Sequence, residues 1–265
     1  MSEENKITVP TVADMAAKGE KPDVLFWVGC SGSFDERAQK ITKALVKILS
    51  HCNINFAVLG IEESCTGDPA KRAGNEFLFQ MQAMSNIQVL NGYGITKILT
   101  ACPHCFNTIK NEYPELGGKY EVVHHTMYLQ QLIDDGILKV NGGAFKGKRL
   151  TFHDPCYLGR ANNEYEAPRD VIKKLDSELA EMKRSRAKGL CCGAGGAQMF
   201  KDAEKGDKEV NVERAEEALN LKPDVIATGC PFCMTMMSDG VKHFEKEDSV
   251  KVLDVAELIA SANDL

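Results

Sequence analysis

No stretch of this 265-residue sequence is apolar for long enough to cross a membrane; the longest local run, Val24-Leu-Phe-Trp-Val28, has the length of a buried strand. Positive charge is not in excess either. Against 32 lysines and arginines stand 38 acidic residues, a net charge of −6, so the electrostatic footprint of a nucleic-acid partner is missing. Residues 1–21 form a polar leader that carries Glu3 and Glu4 and lacks the continuous apolar segment of a secretory signal. These absences together predict a cytoplasmic protein. Cytosolic thiols are kept reduced, which sets aside a disulfide framework and leaves metal binding or catalysis as the use of ten cysteines.

The cysteines are not scattered evenly. Between Cys156 and Cys233 five of them fall as Cys156, the adjacent pair Cys191-Cys192, and the turn Cys230-Pro-Phe-Cys233. Neighbouring cysteines are badly aimed for bonding to each other, but both can face one metal assembly. Thiolates are soft ligands that select iron-sulfur clusters, zinc or copper(I). Five around one point exceed the four that a tetrahedral zinc takes, and the count favours a cluster with several irons.

The first half repeats this pattern with one thiol fewer. Cys30, Cys65 and Cys102-Pro-His-Cys105 precede the later set at offsets of 126, 126, 128 and 128 residues, which places nine of the ten cysteines. Thr66 then stands opposite Cys192 and Gly67 opposite Gly193; a shift of one instead puts Ser64 opposite Cys191, and the spacing alone does not choose. Four thiolates suit a cluster or a structural zinc of the Cys₄ kind. The tenth thiol, Cys52, lies on the apolar stripe Ala38, Ile41, Leu45, Ile48, Leu49 and reads as a small buried hydrophobe.

The repeat divides the chain into a leader (1–21), a first cysteine-rich domain (22–144) and a second (145–265), with Asp134-Asp-Gly136 and Asn141-Gly-Gly143 at the junction. Strand patterns at Val24–Val28, Asn55–Leu59, Lys97–Thr100, Tyr120–Val123, Arg149–Phe152, Asp224–Thr228 and Val250–Leu253 alternate with helical ones. Ser33-Phe-Asp-Glu36 has the form of a capping box, and Asp68-Pro69 opens a long helix whose Phe77, Leu78, Met81 and Met84 are expected in the core. The pattern predicts an α/β protein of two pseudo-symmetric tandem domains, each a small parallel sheet flanked by helices. Functional groups in such sheets gather beyond the carboxyl ends of the strands, where Cys30, Cys102, Cys156 and Cys230 fall.

Plainer readings of the same residues compete with this one. A Cys-x-x-Cys between strand and helix also suits a thioredoxin-like dithiol, but dithiol exchange has no need of Cys156 or of the Cys191-Cys192 pair. Cys192-Gly-Ala-Gly-Gly196 is not a dinucleotide loop, because Gln198 occupies the place of the last glycine and no strand pattern precedes it. The glycines can instead wrap closely round an inorganic core and direct N–H groups at it. His104, His124, His125 and His153 read first as local hydrogen-bonding groups in turns. No catalytic acid or base is assigned; His153 is the one candidate, with His104 beside it as a donor or proton carrier next to the thiols. Lys183, Arg184, Arg186 and Lys188 read as a solvated basic patch.

His153-Asp-Pro-Cys156 with Cys191-Cys192-Gly193 and Cys230-Pro-Phe-Cys233, together with Cys30, Cys65-Thr-Gly67 and Cys102-Pro-His-Cys105, resembles the paired cysteine-rich "CCG" domains. These occur in two of the subunits of heterodisulfide reductases, in one of them as its C-terminal half, and in iron-sulfur subunits of glycolate, lactate and glycerol-3-phosphate oxidoreductases. Gly74-Asn-Glu-Phe-Leu-Phe-Gln80 and Ser64-Cys-Thr-Gly-Asp68 look most like the branch linking electron-transfer flavoprotein to menaquinone. The resemblance implies a noncubane [4Fe-4S] cluster on Cys156, Cys191, Cys192, Cys230 and Cys233. On Cys30, Cys65, Cys102 and Cys105 it leaves a [4Fe-4S] cluster, a [3Fe-4S] cluster or zinc. The chain lacks the C-x₂-C-x₂-C-x₃-C-P run that fused relatives carry. A ferredoxin-like, membrane-anchored subunit and an electron-transfer flavoprotein are therefore the expected partners, with this chain peripheral at the inner membrane face. The implied role is electron transfer in a multi-subunit oxidoreductase. Direct disulfide or thiol reduction and a zinc-stapled interaction module are the alternatives.

Overall fold

A computed structural model describes residues 7–202 and 205–265; Glu3 and Glu4 of the leader lie outside the described residues. Eight strands form two four-stranded parallel sheets of the same connectivity. The first sheet has the order β2-β1-β3-β4, from β1 (Val24–Trp27), β2 (Phe56–Ala57), β3 (Lys97–Thr100) and β4 (Glu121–His124). The second has the order β6-β5-β7-β8, from β5 (Arg149–Phe152), β6 (Glu178–Leu179), β7 (Val225–Thr228) and β8 (Lys251–Asp254). The two-domain α/β architecture expected from the repeat is the one observed.

The central strands are mostly apolar, and β1 wholly so, because a parallel sheet covered on both faces buries both alternating sets of side chains. In β1, Val24 and Phe26 enter one core while Leu25 and Trp27 enter another. In β7, Val225 and Ala227 enter that first core while Ile226 faces a third. The core reached by Phe26, Leu150, Phe152 and Ala227 is thus common to both halves. It is the layer that joins the sheets.

Helices fill the crossovers. In the first half they are α1 (Val12–Ala17), α2 (Gly29–Phe34), α3 (Glu36–His51), α4 (Asp68–Arg72), α5 (Glu76–Gly92), α6 (Pro103–Asn107) and α7 (His125–Asp134). The second half adds α8 (Glu166–Lys173), α9 (Val210–Leu219), α10 (Pro231–His243) and α11 (Val255–Ala262). Between the halves the packing is reciprocal: α3 lies on α11, and α8 lies on α7. Arg37 on α3 crosses the seam with a two-pronged bond to Glu257 (2.8 and 2.7 Å) and a third bond to the Val252 carbonyl (2.9 Å). From the leader, Val12 and Met15 are buried in the first half and Thr11 pairs with Val58 beside β2.

Three local expectations need correction. The N-cap of α3 is Asp35, which accepts the Ala38 N–H at 2.7 Å, and not Ser33, because residues 29–34 are already taken up by α2. The helix opened at Asp68 stops at Arg72, and Asn75 caps a new one. On that new helix, α5, Phe77 (76 % exposed), Leu78, Met81 and Met84 face outward, while Phe79, Ala83, Ile87 and Leu90 are buried. The helix is apolar nearly all round, so periodicity selects no face. A polar anchor does: Asn86 donates to the Cys65 carbonyl (3.0 Å) and the Tyr113 hydroxyl (3.1 Å) and accepts from Ser64 Oγ (2.9 Å).

Candidate metal centre

Each Cys-Pro-x-Cys turn follows the middle strand of its sheet and starts a helix. Cys102 and Cys230 are the N-cap residues, Pro103 and Pro231 take the first helical position, and Cys105 and Cys233 come one turn in. Proline suits that position because its missing N–H would have had no helical partner. Both thiols of each turn therefore face the carboxyl edge of the sheet, where the helix N-terminus favours negative charge.

The middle cysteines arrive on loops with matched geometry. Gly67 and Gly193 have φ of +89° and +91°, a conformation open to glycine. Their N–H groups donate back to Cys65 Sγ (3.5 Å) and Cys191 Sγ (3.3 Å). A Cβ on Gly67 would also come within 2.8 Å of the Phe79 ring. In the second half the next residue, Cys192, has its Sγ 3.3 Å from Cys233 Sγ; in the first half Thr66 is as deeply buried and its hydroxyl donates to Cys105 Sγ at 3.8 Å. The register left open by spacing is thereby decided. Thr66 occupies the place of Cys192, and Ser64 does not.

The sulfurs of each set are neighbours. In the second half Cys192 Sγ lies 3.3 Å from Cys233 Sγ, and Cys156, Cys191, Cys192, Cys233 and Cys230 each perturb the next; in the first, Cys30 perturbs Cys65 and Cys102 perturbs Cys105. Cys102 and Cys230 also perturb each other, so the two sets lie near one another across the seam. Neighbouring thiols perturb one another through hydrogen bonds and charge. The Cys30 contact draws Cys65 down to about 7, and Cys192 is pushed up to about 12 beside Cys191. Cys52, half-buried at the end of α3, packs against the shared core and joins neither set.

The loops carrying these thiols are tied together by carboxylates, with opposite polarity in the two halves. Glu63, from the Cys65 loop, reaches back to the N–H groups of Val28 (3.0 Å) and Gly29 (2.6 Å), just before Cys30. Burial raises its pKa to about 7 in spite of those bonds. In the second half Asp154, just before Cys156, reaches forward to the Arg186 N–H (2.7 Å) on the way to Cys191. Buried Arg169 grips Asp154 with two bonds (2.7 and 2.9 Å) and Glu181 with two more (2.6 and 2.9 Å). Burial alone would raise the Asp154 carboxyl, but Arg169 and the Arg186 N–H hold it below the usual range. Sequence reasoning missed Glu63, Asn86 and Arg169. Only the charge of Arg169 inside an otherwise apolar helical stripe could have flagged one of them.

The histidines divide. His124 bonds Thr126 Oγ1 (2.8 Å) and His125 bonds Asp254 of the other half (2.8 Å), local hydrogen bonds of the kind expected for them. His104 pairs with Asp68 (2.8 Å) and packs against Tyr157 and Phe232 at the seam. Burial opposes its charge, but Asp68 and Cys102 outweigh that and raise its pKa. His153 is fully buried, and a ring nitrogen and the Sγ atoms of Cys192 and Cys233 all lie within 4.8 Å of one another. Burial and the charge of Arg214 push its pKa down to about 3, so the ring is neutral. The basic patch is largely spoken for: Arg184 bonds Glu213 (2.7 Å) and Glu217 (2.9 Å), and Arg186 pairs with Glu166.

The fold and these two thiol sets define a class of protein: tandem α/β units that each gather cysteine thiols at the carboxyl edge of a parallel sheet. The "Cysteine-rich domain" (CCG) family profile matches residues 24–110 and again 150–238, more than half of the chain. The chain belongs to that family. Among its relatives, FadF of Bacillus subtilis, named a probable iron-sulfur-binding oxidoreductase, is 46 % identical over 96 % of this chain and 36 % of its own length. The EtfAB:quinone oxidoreductase of Syntrophomonas wolfei is 42 % identical over 92 % of this chain and 35 % of its own. One subunit of the dihydromethanophenazine:CoB–CoM heterodisulfide reductase of Methanosarcina barkeri is 34 % identical over 92 % of this chain and 59 % of its own. The chain thus spans about a third of the first two relatives. No helix among the described residues is long and apolar enough to cross a membrane.

Proposed function

We propose that this chain is the iron-sulfur electron-transfer subunit of a multi-subunit, heterodisulfide reductase-like oxidoreductase. In this reading Cys156, Cys191, Cys192, Cys230 and Cys233 hold a noncubane [4Fe-4S] cluster, and Cys30, Cys65, Cys102 and Cys105 hold a [4Fe-4S] cluster, a [3Fe-4S] cluster or zinc. The donor sets fit such groups: sulfur throughout, mostly buried, with five thiols in one set where tetrahedral zinc takes four. Bound there, iron-sulfur groups supply one-electron storage between a two-electron flavin donor and a quinone-linked acceptor.

The observation that carries the reading is the pair of matched thiol sets, with Cys192 and Cys233 Sγ 3.3 Å apart in the second and Cys102 and Cys230 near enough across the seam to perturb each other. Thiols that near leave a short route for an electron between the sites. The protein's own part is to hold thiolates at helix N-termini, to donate the Gly67 and Gly193 N–H groups to them, and to keep water out. The similarity to EtfAB:quinone oxidoreductase supports an electron-transfer flavoprotein as a partner, and a ferredoxin-like, membrane-anchored subunit completes this reading.

A second reading, direct disulfide reduction at the five-thiol site, draws on the half-buried state of Cys156 and Cys191, which leaves that side open to a small thiol. Two measurements on anaerobically purified protein separate the readings. Iron and acid-labile sulfide are expected, and zinc without iron would reject the cluster assignment and leave a metal-stapled module. Reduction by electron-transfer flavoprotein without disulfide turnover supports relay; disulfide cleavage by the isolated chain would overturn relay in favour of direct catalysis.

A further inference from the structure

The last residue before each first-cysteine loop is a buried ring with an unpartnered nitrogen. His153 stands three residues before Cys156, and Trp27 stands three residues before Cys30, at the same place in the repeat. Both are fully buried, and among the described residues neither His153 Nε2 nor Trp27 Nε1 has a hydrogen-bond partner. A buried N–H without an acceptor costs about 1–3 kcal/mol, so its recurrence at matched positions points to an acceptor within the adjoining sulfur site.

For His153 the tautomer is determined by its neighbour. Arg214 Nε donates to His153 Nδ1 at 3.0 Å. A guanidinium can only donate, so Nδ1 carries the lone pair and the neutral ring carries its single proton on Nε2. Arg214 is itself fully buried and locked, through bonds to the Arg184 carbonyl (2.7 Å) and to Glu217 (3.0 Å). The ring therefore cannot trade its proton to the other side. A nitrogen of this ring lies within 4.8 Å of the Cys192 and Cys233 Sγ atoms, and Nε2 is the one that Arg214 leaves free to donate.

We propose that His153 is a positioning residue that donates its Nε2–H to the sulfur of the five-thiol site, with Arg214 holding the tautomer, and that it is not a metal ligand. A nitrogen bearing a proton has no lone pair for a metal. Trp27, which can only donate, stands at the equivalent place in the repeat and shares a core with Cys102 and Cys105. An N–H aimed at sulfur stabilises the state with more negative charge, so it raises the reduction potential of whatever group the thiolates hold. This inference rests on the cluster assignment above.

The test uses the full chain loaded with iron and sulfide under anaerobic conditions. Iron and sulfide are counted first, because their absence would fail the cluster reading and not the role of His153. On loaded protein, His153→Leu is expected to shift the one-electron reduction equilibrium about tenfold, lowering the midpoint by about 59 mV. His153→Gln, which keeps an N–H donor, is expected to recover part of the shift. An unchanged or raised midpoint in His153→Leu would overturn the proposal. Should neither variant load, pulsed electron paramagnetic resonance of the wild-type chain with ¹⁵N-histidine decides. A weak nitrogen coupling with an exchangeable proton is expected, and a ligand-sized coupling, or none, would refute it.

Discussion

Asp154 offers the sharpest test of how the second thiol set is held. Its carboxylate is 6 % exposed and accepts two N–H groups of Arg169 and the backbone N–H of Arg186, so that one side chain joins the Cys156 turn to the segment leading to Cys191. Removing one partner of a buried ion pair costs about 3–5 kcal/mol, because the other charge is left without compensation. Glu181 stays on Arg169 and is partly exposed, which puts Asp154→Ala at the lower end, about 3 kcal/mol. Asp154→Asn keeps the shape and one acceptor but not the charge, and is expected to cost about 2 kcal/mol. Urea unfolding of the metal-free chain, followed by circular dichroism, measures both. The pH dependence has a definite sign. The folded pKa of Asp154 lies below its ordinary value of 3.8, so its stabilisation is fully present above that value and is lost as pH falls through the folded pKa. Wild type and Asp154→Asn should therefore differ at pH 7 and converge in strong acid. A cost below about 1 kcal/mol at pH 7, or a gap that persists in acid, would refute the account.

Thr66→Cys should complete the first set, since its hydroxyl already lies 3.8 Å from Cys105 Sγ in the place Cys192 holds in the second. The expected outcome is a changed visible and paramagnetic spectrum of the first site, with stability altered by no more than about 1 kcal/mol; an unaltered spectrum would show that residue 66 does not face the metal. Arg37→Ala removes the three bonds to Glu257 and Val252 across the seam. Because Arg37 is partly exposed, a loss of about 1 kcal/mol is expected in urea unfolding, and no loss would mean that the apolar layer alone joins the halves. Cys52→Ser should leave the iron content of anaerobically loaded protein unchanged, because that thiol packs on the shared core and meets neither set. A fall in iron would show that the tenth cysteine is a ligand after all.

Much of this protein was legible in its sequence because the information is local. Apolar runs such as Val24-Leu-Phe-Trp27 announce parallel strands buried on both faces, and Cys-Pro-x-Cys after a strand announces a helix start with two thiols on its first turn. Repetition of those signals determined the two-domain fold and nominated nine thiols for two sets. Where the signal is not periodic, tertiary structure decided. The face of α5 that is buried follows from Asn86 reaching Cys65 and Tyr113, a contact no helical period encodes. Thr66, and not Ser64, fills the place of the fifth thiol because a buried turn closes round it. The influence of Cys102 and Cys230 on each other and the grip of Arg214 on His153 join residues far apart in the chain. Composition and spacing describe what each half can form alone; which atoms touch across the seam depends on how two folded sheets share one apolar layer.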